Sequence, residues 1–140
     1  MDDAITGRCR CGAIGYAFNS APTLKHMCCC RDCQYFTGMD KVFVVGGARE
    51  TFELRHGRPT TYAVIADSGA TIIRAFCGTC GTSLFIYPEI DGVYYQTEDD
   101  VIEACAGTLD NPNAFSPGFA VFVSRAPKWA TFPEGLPLHD

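Results

Sequence analysis

Residues 28–33 read Cys-Cys-Cys-Arg-Asp-Cys, so four of the chain's nine cysteines fall within six positions. In an extended segment alternate residues leave on the same face, so Cys28 and Cys30 point together while Cys29 points away. Cys33 follows Cys30 at the C-x-x-C interval of a zinc knuckle. Three thiolates can therefore converge on one soft metal ion. A structural zinc takes four protein ligands, whereas a catalytic zinc takes three and keeps one position open. A count of three leaves two readings: an open site, or one closed by His26, Cys29 or Cys105. His26 shares the face of Cys28 and Cys30 in a regular strand and is the strongest of these. Cys29 is flanked by two ligands, and Cys105, between Ala104 and Ala106, reads as a small buried side chain.

A second group has a different layout. Cys9-Arg10-Cys11-Gly12 supplies a C-x-C, and Cys77-Gly78-Thr79-Cys80-Gly81 supplies a C-x-x-C whose glycines permit a tight backbone path. Together they give the four-thiolate composition of a structural zinc. Cys77 lies 66 positions beyond Cys11, so one ion would pin the N-terminal strand to the middle of the chain. Disulfides are the competing explanation, but they belong mainly to secreted proteins, and nine is an odd number. The N-terminus, Met-Asp-Asp-Ala-Ile-Thr, lacks the basic and apolar regions of a signal peptide. No apolar run nears the ~20 residues of a membrane helix. The expectation is a cytoplasmic chain with no membrane partner that uses its cysteines for metal. A redox pair at Cys77 and Cys80 would need a thioredoxin-like βαβ context, which the pattern below does not provide.

Segments 13–18, 24–28, 41–45, 51–55, 60–65, 71–76, 82–87, 101–106 and 119–123 read as strands, with turn residues at intervals of roughly ten. Gly46 and Gly47 close the third of them. Segment 31–38 reads as a tight turn or a single helical turn with Gly38 at its exit. The proline-rich tail beyond Ala126 is expected to pack over the sheet as irregular chain. The result is a mostly-β domain with little helix, covering residues 1–140 as one unit. Its 47% hydrophobic and 19% charged residues are those of an ordinary globular chain. A net charge of −5 argues against nucleic acid as a partner, since phosphate binding rests on basic patches. Tyr94, Tyr95, Trp129 and the phenylalanines read as core, and His56 and His139 as surface.

These residues resemble the glutathione-dependent formaldehyde-activating enzyme (centromere protein V-like) family. The resemblance is carried by Cys9-Arg10-Cys11-Gly12, by Cys28, Cys30 and Cys33 with Gly38 five residues on, and by Phe76-Cys77 through Gly81. Ala106-Gly107-Thr108-Leu109-Asp110 and Arg125-Ala126-Pro127-Lys128-Trp129 support it, so it spans nearly the whole chain. It implies a zinc-stabilised β-tent fold of packed antiparallel sheets and two Zn²⁺ ions. One would be structural at Cys9, Cys11, Cys77 and Cys80, the other catalytic at Cys28, Cys30 and Cys33. It also implies a carbon–sulfur lyase that adds the glutathione thiol to formaldehyde, giving S-hydroxymethylglutathione. The chain departs from a common family pattern in two places. Gln34-Tyr35 follow Cys33 where relatives often carry basic residues, and Cys29 replaces a frequent histidine or asparagine.

Charge suggests a role for the three-thiolate ion. It would carry a formal charge of about −1, which makes it a poor Lewis acid but suits it to holding an incoming thiol as thiolate. A free thiol, with a pKa of ~8.5, is only slightly ionised at neutral pH. A fourth thiolate would take the site to about −2, so nearby cations should compensate and also meet the carboxylates of glutathione or a similar small thiol. Arg31, inside the motif, and then Lys41 are the candidates. Competing readings are a non-catalytic two-zinc scaffold or protein-interaction module, and a redox sensor acting through Cys29. A zinc deaminase is excluded, because neither H-x-E nor P-C-x-x-C occurs.

Overall fold

The computed structural model describes residues 4–89 and 100–140. In chain order the strands are β1 (Ile5–Arg8), β2 (Gly15–Phe18), β3 (Leu24–Cys28), β4 (Val42–Ala48), β5 (Phe52–His56), β6 (Thr60–Ile65), β7 (Thr71–Phe76), β8 (Ser83–Pro88), β9 (Val101–Cys105) and β10 (Phe119–Val121). Among the described residues one α-helix, α1 (Arg31–Thr37), interrupts them. They form a three-stranded sheet in the order β1-β2-β5 and a seven-stranded sheet in the order β10-β3-β4-β9-β8-β7-β6. The fold is mostly β with packed sheets, as the resemblance implies. Its ladders are antiparallel except at one edge, where β10 runs parallel to β3.

Side-chain alternation gives the large sheet two buried faces. Val45, Ala75, Phe85, Ile102 and Ala104 face the small sheet and pack against Tyr16 and Phe18. Tyr16, Phe18, Phe52 and Phe85 meet there with ring centroids 5.0–6.3 Å apart. Such pairs add roughly 0.5–1.5 kcal/mol each beyond burial. On the opposite face Val42, Val44, Ile72, Ile86, Val101 and Val121 pack against Phe36 of α1. Each face also takes in one cysteine group: Cys9 and Cys77 join the first, Cys28 and Cys33 the second.

Several expectations change. Strand β4 does not stop at Gly46 and Gly47 but runs through to Ala48. Gly46 is there because a Cβ would meet Glu103 Cγ at 3.0 Å and the Ile102 carbonyl at 3.2 Å, so the strand passes under a neighbouring side chain. Segment 31–37 is helical, two turns of α-helix rather than the single turn or tight turn expected, closed as expected by a left-handed Gly38 whose N–H bonds Gln34 O at 2.7 Å. Strand β1 was not expected; it is too short to show alternation. The tail does more than lie over the sheet. Ala120 N–H bonds Pro137 O, and His139 N–H bonds Ala120 O, so residues 137–139 cover the β10 edge. Trp129 is 69% exposed rather than core, while His56 and His139 lie at the surface. Tyr94 and Tyr95 lie outside the described residues. Among the described residues no helix is long and apolar enough to cross a membrane.

Candidate metal centres

All nine cysteines are free, and seven of them gather into two groups. Cys9, Cys11, Cys77 and Cys80 form the first, built from two similar knuckles. In one, Gly12 N–H bonds Cys9 O at 3.1 Å, and Ile14 N–H points at Cys9 Sγ at 3.3 Å. In the other, Gly81 N–H bonds Cys77 O at 2.7 Å, and Cys80 N–H points at Cys77 Sγ at 3.4 Å. Both turns need a left-handed residue, with φ of +83° at Gly12 and +82° at Gly81. Thr82 ties the halves together: its hydroxyl accepts Arg10 N–H at 3.1 Å and lies 3.1 Å from Cys80 Sγ. That hydroxyl, more than any other group, holds the Cys80 thiol down at about 5.

The sulfurs already stand at metal-binding spacing. Cys9 and Cys11 Sγ are 3.6 Å apart, Cys11 and Cys77 Sγ 3.8 Å. A tetrahedral ion with Zn–S bonds of about 2.3 Å needs sulfurs about 3.8 Å apart. An all-sulfur set at that spacing fits zinc, a thiophilic ion without geometric demands of its own.

Cys28, Cys30 and Cys33 form the second group, with their sulfurs within 4.8 Å of one another. Cys28 ends β3 and is fully buried. Cys30 is the N-cap of α1, and its sulfur accepts Cys33 N–H at 3.4 Å. Cys33 sits in the first turn, also fully buried. Hydrogen bonding to Cys30 drives Cys28 above the usual thiol range, and hydrogen bonding from Cys28 drives Cys30 below it. This donor set fits a zinc ion as well. No fourth His, Cys, Asp or Glu among the described residues joins it.

None of the three expected closers joins the three sulfurs. His26 stacks on Phe119 at 4.9 Å, with Nε2 3.2 Å from Glu103 Oε2, and burial holds it down at about 4. Cys29 is buried with its N–H bonded to Val121 O. Cys105 packs in the same buried cluster as Cys28 and Cys33 and also lines an apolar groove, and burial pushes its thiol up to about 12.

Beside the three-sulfur group lies a cleft of about 540 Å³. Cys30 opens onto it. Ala66, Ala70, Ile72 and Phe122 give it an apolar wall, and Arg31, Asp32, Asp67, Arg74 and Arg125 a charged lining. Phe122 takes φ 55°, rare for a bulky residue, at the turn after β10. Asp67 and Arg125 pair across 2.8 Å. Of the expected cations, Arg31 lines the cleft, stacked on Tyr35 at 4.5 Å and donating to Gln34 Oε1. Lys41 does not. It is buried, donates to Asp40 and to Thr131 O, and lies beside the separate groove.

Two side chains escaped the sequence reading. Gln34 donates its amide to Cys29 O at 2.9 Å and to Arg125 O at 3.1 Å, lacing the helix to both flanks of the cleft. Arg74, on β7 and 3% exposed, brings Nη1 and Nη2 to 3.8 and 3.6 Å from Cys33 Sγ, with its Cζ 5.2 Å over the Phe36 ring. The available signal was a lone charge, the arginine, in the otherwise uncharged strand Thr-Ile-Ile-Arg-Ala-Phe, which demands a buried partner.

The sequence profile of a family described as glutathione-dependent formaldehyde-activating enzyme matches residues 4–125. No curated protein matches the chain.

Proposed function

The chain belongs to the glutathione-dependent formaldehyde-activating enzyme family, and from that premise we propose a carbon–sulfur lyase that adds a small thiol, glutathione or a similar one, to formaldehyde or another small electrophile. Both cysteine groups would hold zinc, with Cys9, Cys11, Cys77 and Cys80 as the structural set and Cys28, Cys30 and Cys33 as the reactive one. A zinc ion held by the three cysteines would supply ionisation of a fourth, external sulfur at neutral pH.

The residues of the cleft do the rest. Arg31 and Arg125 offer cations to the carboxylates of the incoming thiol. Ile72, Phe122 and the alanines exclude water from the reacting sulfur, which strengthens every charge interaction around it. The step balances simply. A carbon–sulfur bond forms as the carbonyl π bond opens, and the proton given up by the thiol ends on the former carbonyl oxygen.

The observation that carries this reading is a cluster of three cysteines rather than four, with Cys30 opening onto a cleft large enough for a tripeptide-sized ligand. The alternative, a two-zinc scaffold for protein interaction, requires a fourth side-chain ligand, and none among the described residues joins the cluster. The test is the rate of S-hydroxymethylglutathione formation from glutathione and formaldehyde, followed by NMR. Zinc-loaded protein should accelerate it over the spontaneous reaction, and Cys30→Ser should abolish that acceleration. A wild-type rate equal to background, for glutathione and for a panel of small thiols, removes the lyase reading.

A further inference from the structure

We propose that Arg74 is the positioning residue of the three-sulfur centre. Its guanidinium clamps Cys33 through two N–H···S contacts, making that sulfur the least electron-donating of the three ligands, and neutralises the charge of the site at the floor of the cleft. This rests on the reading of the cluster as a metal centre and not on the thiol-addition reaction.

The geometry is specific. Arg74 comes from β7, 41 positions from Cys33, and both of its terminal nitrogens reach the same sulfur. The sulfur is fully buried and the arginine 3% exposed, so water screens the pair little and the charge-assisted contacts are strong. Phe36 lies three residues after Cys33 on α1, hence on the same helix face, and its ring carries the guanidinium. The helix that supplies the sulfur thus also supplies the platform that orients its partner. A lysine could match the charge but not the planar two-nitrogen fork. Sulfur that accepts hydrogen bonds gives less electron density to a bound metal, which then accepts more from an external ligand. Arg74 also lines the cleft, so it stands between the metal ligand and the space a substrate would fill.

The charge of the cluster calls for cations beside it: Arg31 lines the same cleft, Lys41 lies away from it, and Arg74 is the one in contact with a cluster sulfur.

Cadmium-113 NMR of the cadmium-loaded protein tests this, because each cluster gives its own resonance. Arg74→Lys should move the three-sulfur resonance and leave the four-sulfur resonance in place. Metal affinity of the three-sulfur cluster, measured by competition with a chelator, should fall roughly 10–100-fold in Arg74→Met, the usual cost of losing an outer partner of a metal ligand, and less in Arg74→Lys. A folded Arg74→Met with unmoved resonances and wild-type metal retention overturns the inference. Should Arg74→Met lose both resonances by failing to fold, Arg74→Lys decides, and a wild-type spectrum with wild-type retention overturns it equally. A single cadmium resonance in the wild type removes it together with the metal-centre reading. None of these readouts involves turnover, so a failure of thiol addition leaves them intact.

Discussion

The two cysteine clusters present the same donor atom in opposite settings. The four-sulfur group draws on residues 9–11 and 77–80, with Cys11 and Cys80 exposed. The three-sulfur group draws on the contiguous segment 28–33, mostly buried, beside a cleft. Closing a loop of about 70 residues costs an unfolded chain about 2 kcal/mol more entropy than closing one of six. An ion in the first group therefore restrains the unfolded chain far more than one in the second. The first group brings four sulfurs together from distant parts of the chain. The second brings three from one short segment, with a cleft beside it. On the function proposed above the first is a pin and the second a reactive centre, and the spread of the ligands along the chain, not sulfur content, is what would separate them.

Removing one ligand from each cluster should give the largest contrast. Structural zinc contributes on the order of 10 kcal/mol to folding, against a total margin of ~5–15 kcal/mol for a domain. Cys9→Ser and Cys80→Ser should therefore yield insoluble or unfolded protein with neither metal bound, read by soluble yield, circular dichroism and metal content. Cys30→Ser should remain folded and bind one metal instead of two. Serine is itself a good N-cap, so its hydroxyl can still receive Cys33 N–H and the helix start is kept. If Cys30→Ser proves as insoluble as Cys9→Ser, the division between pin and reactive centre fails.

How much of this was readable in advance follows from which forces act locally. Both cysteine groups were legible because each half is a short spacing, and the strands at 24–28, 60–65 and 71–76 because alternation and turn residues are local signals. Direction of pairing is not local: nothing in Phe119–Val121 says that it runs parallel to β3. The arginine at the cluster was missed for the same reason, since Arg74 meets Cys33 only through packing of a sheet against a helix. Lys41 looked close in sequence, yet its neighbour Asp40 and the tail carbonyl of Thr131 hold it away from the cleft. At Gly46 a residue that ordinarily ends a strand was needed to clear Glu103 instead.

A smaller effect should sharpen the same contrast. Gln34→Ala strips hydrogen bonds from the carbonyls of Cys29 and Arg125, beside the three-sulfur cluster and about as buried. Leaving such groups unsatisfied costs roughly 1–3 kcal/mol, measurable as a lower urea midpoint with an unchanged slope. Metal loss to a chelator should accelerate at the three-sulfur cluster alone. Equal acceleration at both would mean that the two sites are not energetically separate.

The smallest effect belongs to the rim. Asp67 and Arg125 pair across 2.8 Å, with side chains 80% and 47% exposed, so the pair adds at most about 1 kcal/mol to stability and either alanine variant should unfold within about 3–4 °C of wild type. Their consequence is for the ligand. Asp67 both occupies Arg125 and repels an anion entering the cleft, so Asp67→Ala should lower KM for a thiol carrying carboxylates roughly three- to fivefold. Arg125→Ala should raise it by a similar factor, the scale of a ~1 kcal/mol surface charge interaction. A neutral thiol such as 2-mercaptoethanol should show neither change, and the opposed effects on the anionic thiol should shrink as salt is added. Equal responses from charged and neutral thiols would place the anionic end of the ligand away from Arg125 and leave Arg31, on the other charged part of the lining, as the cation that meets it.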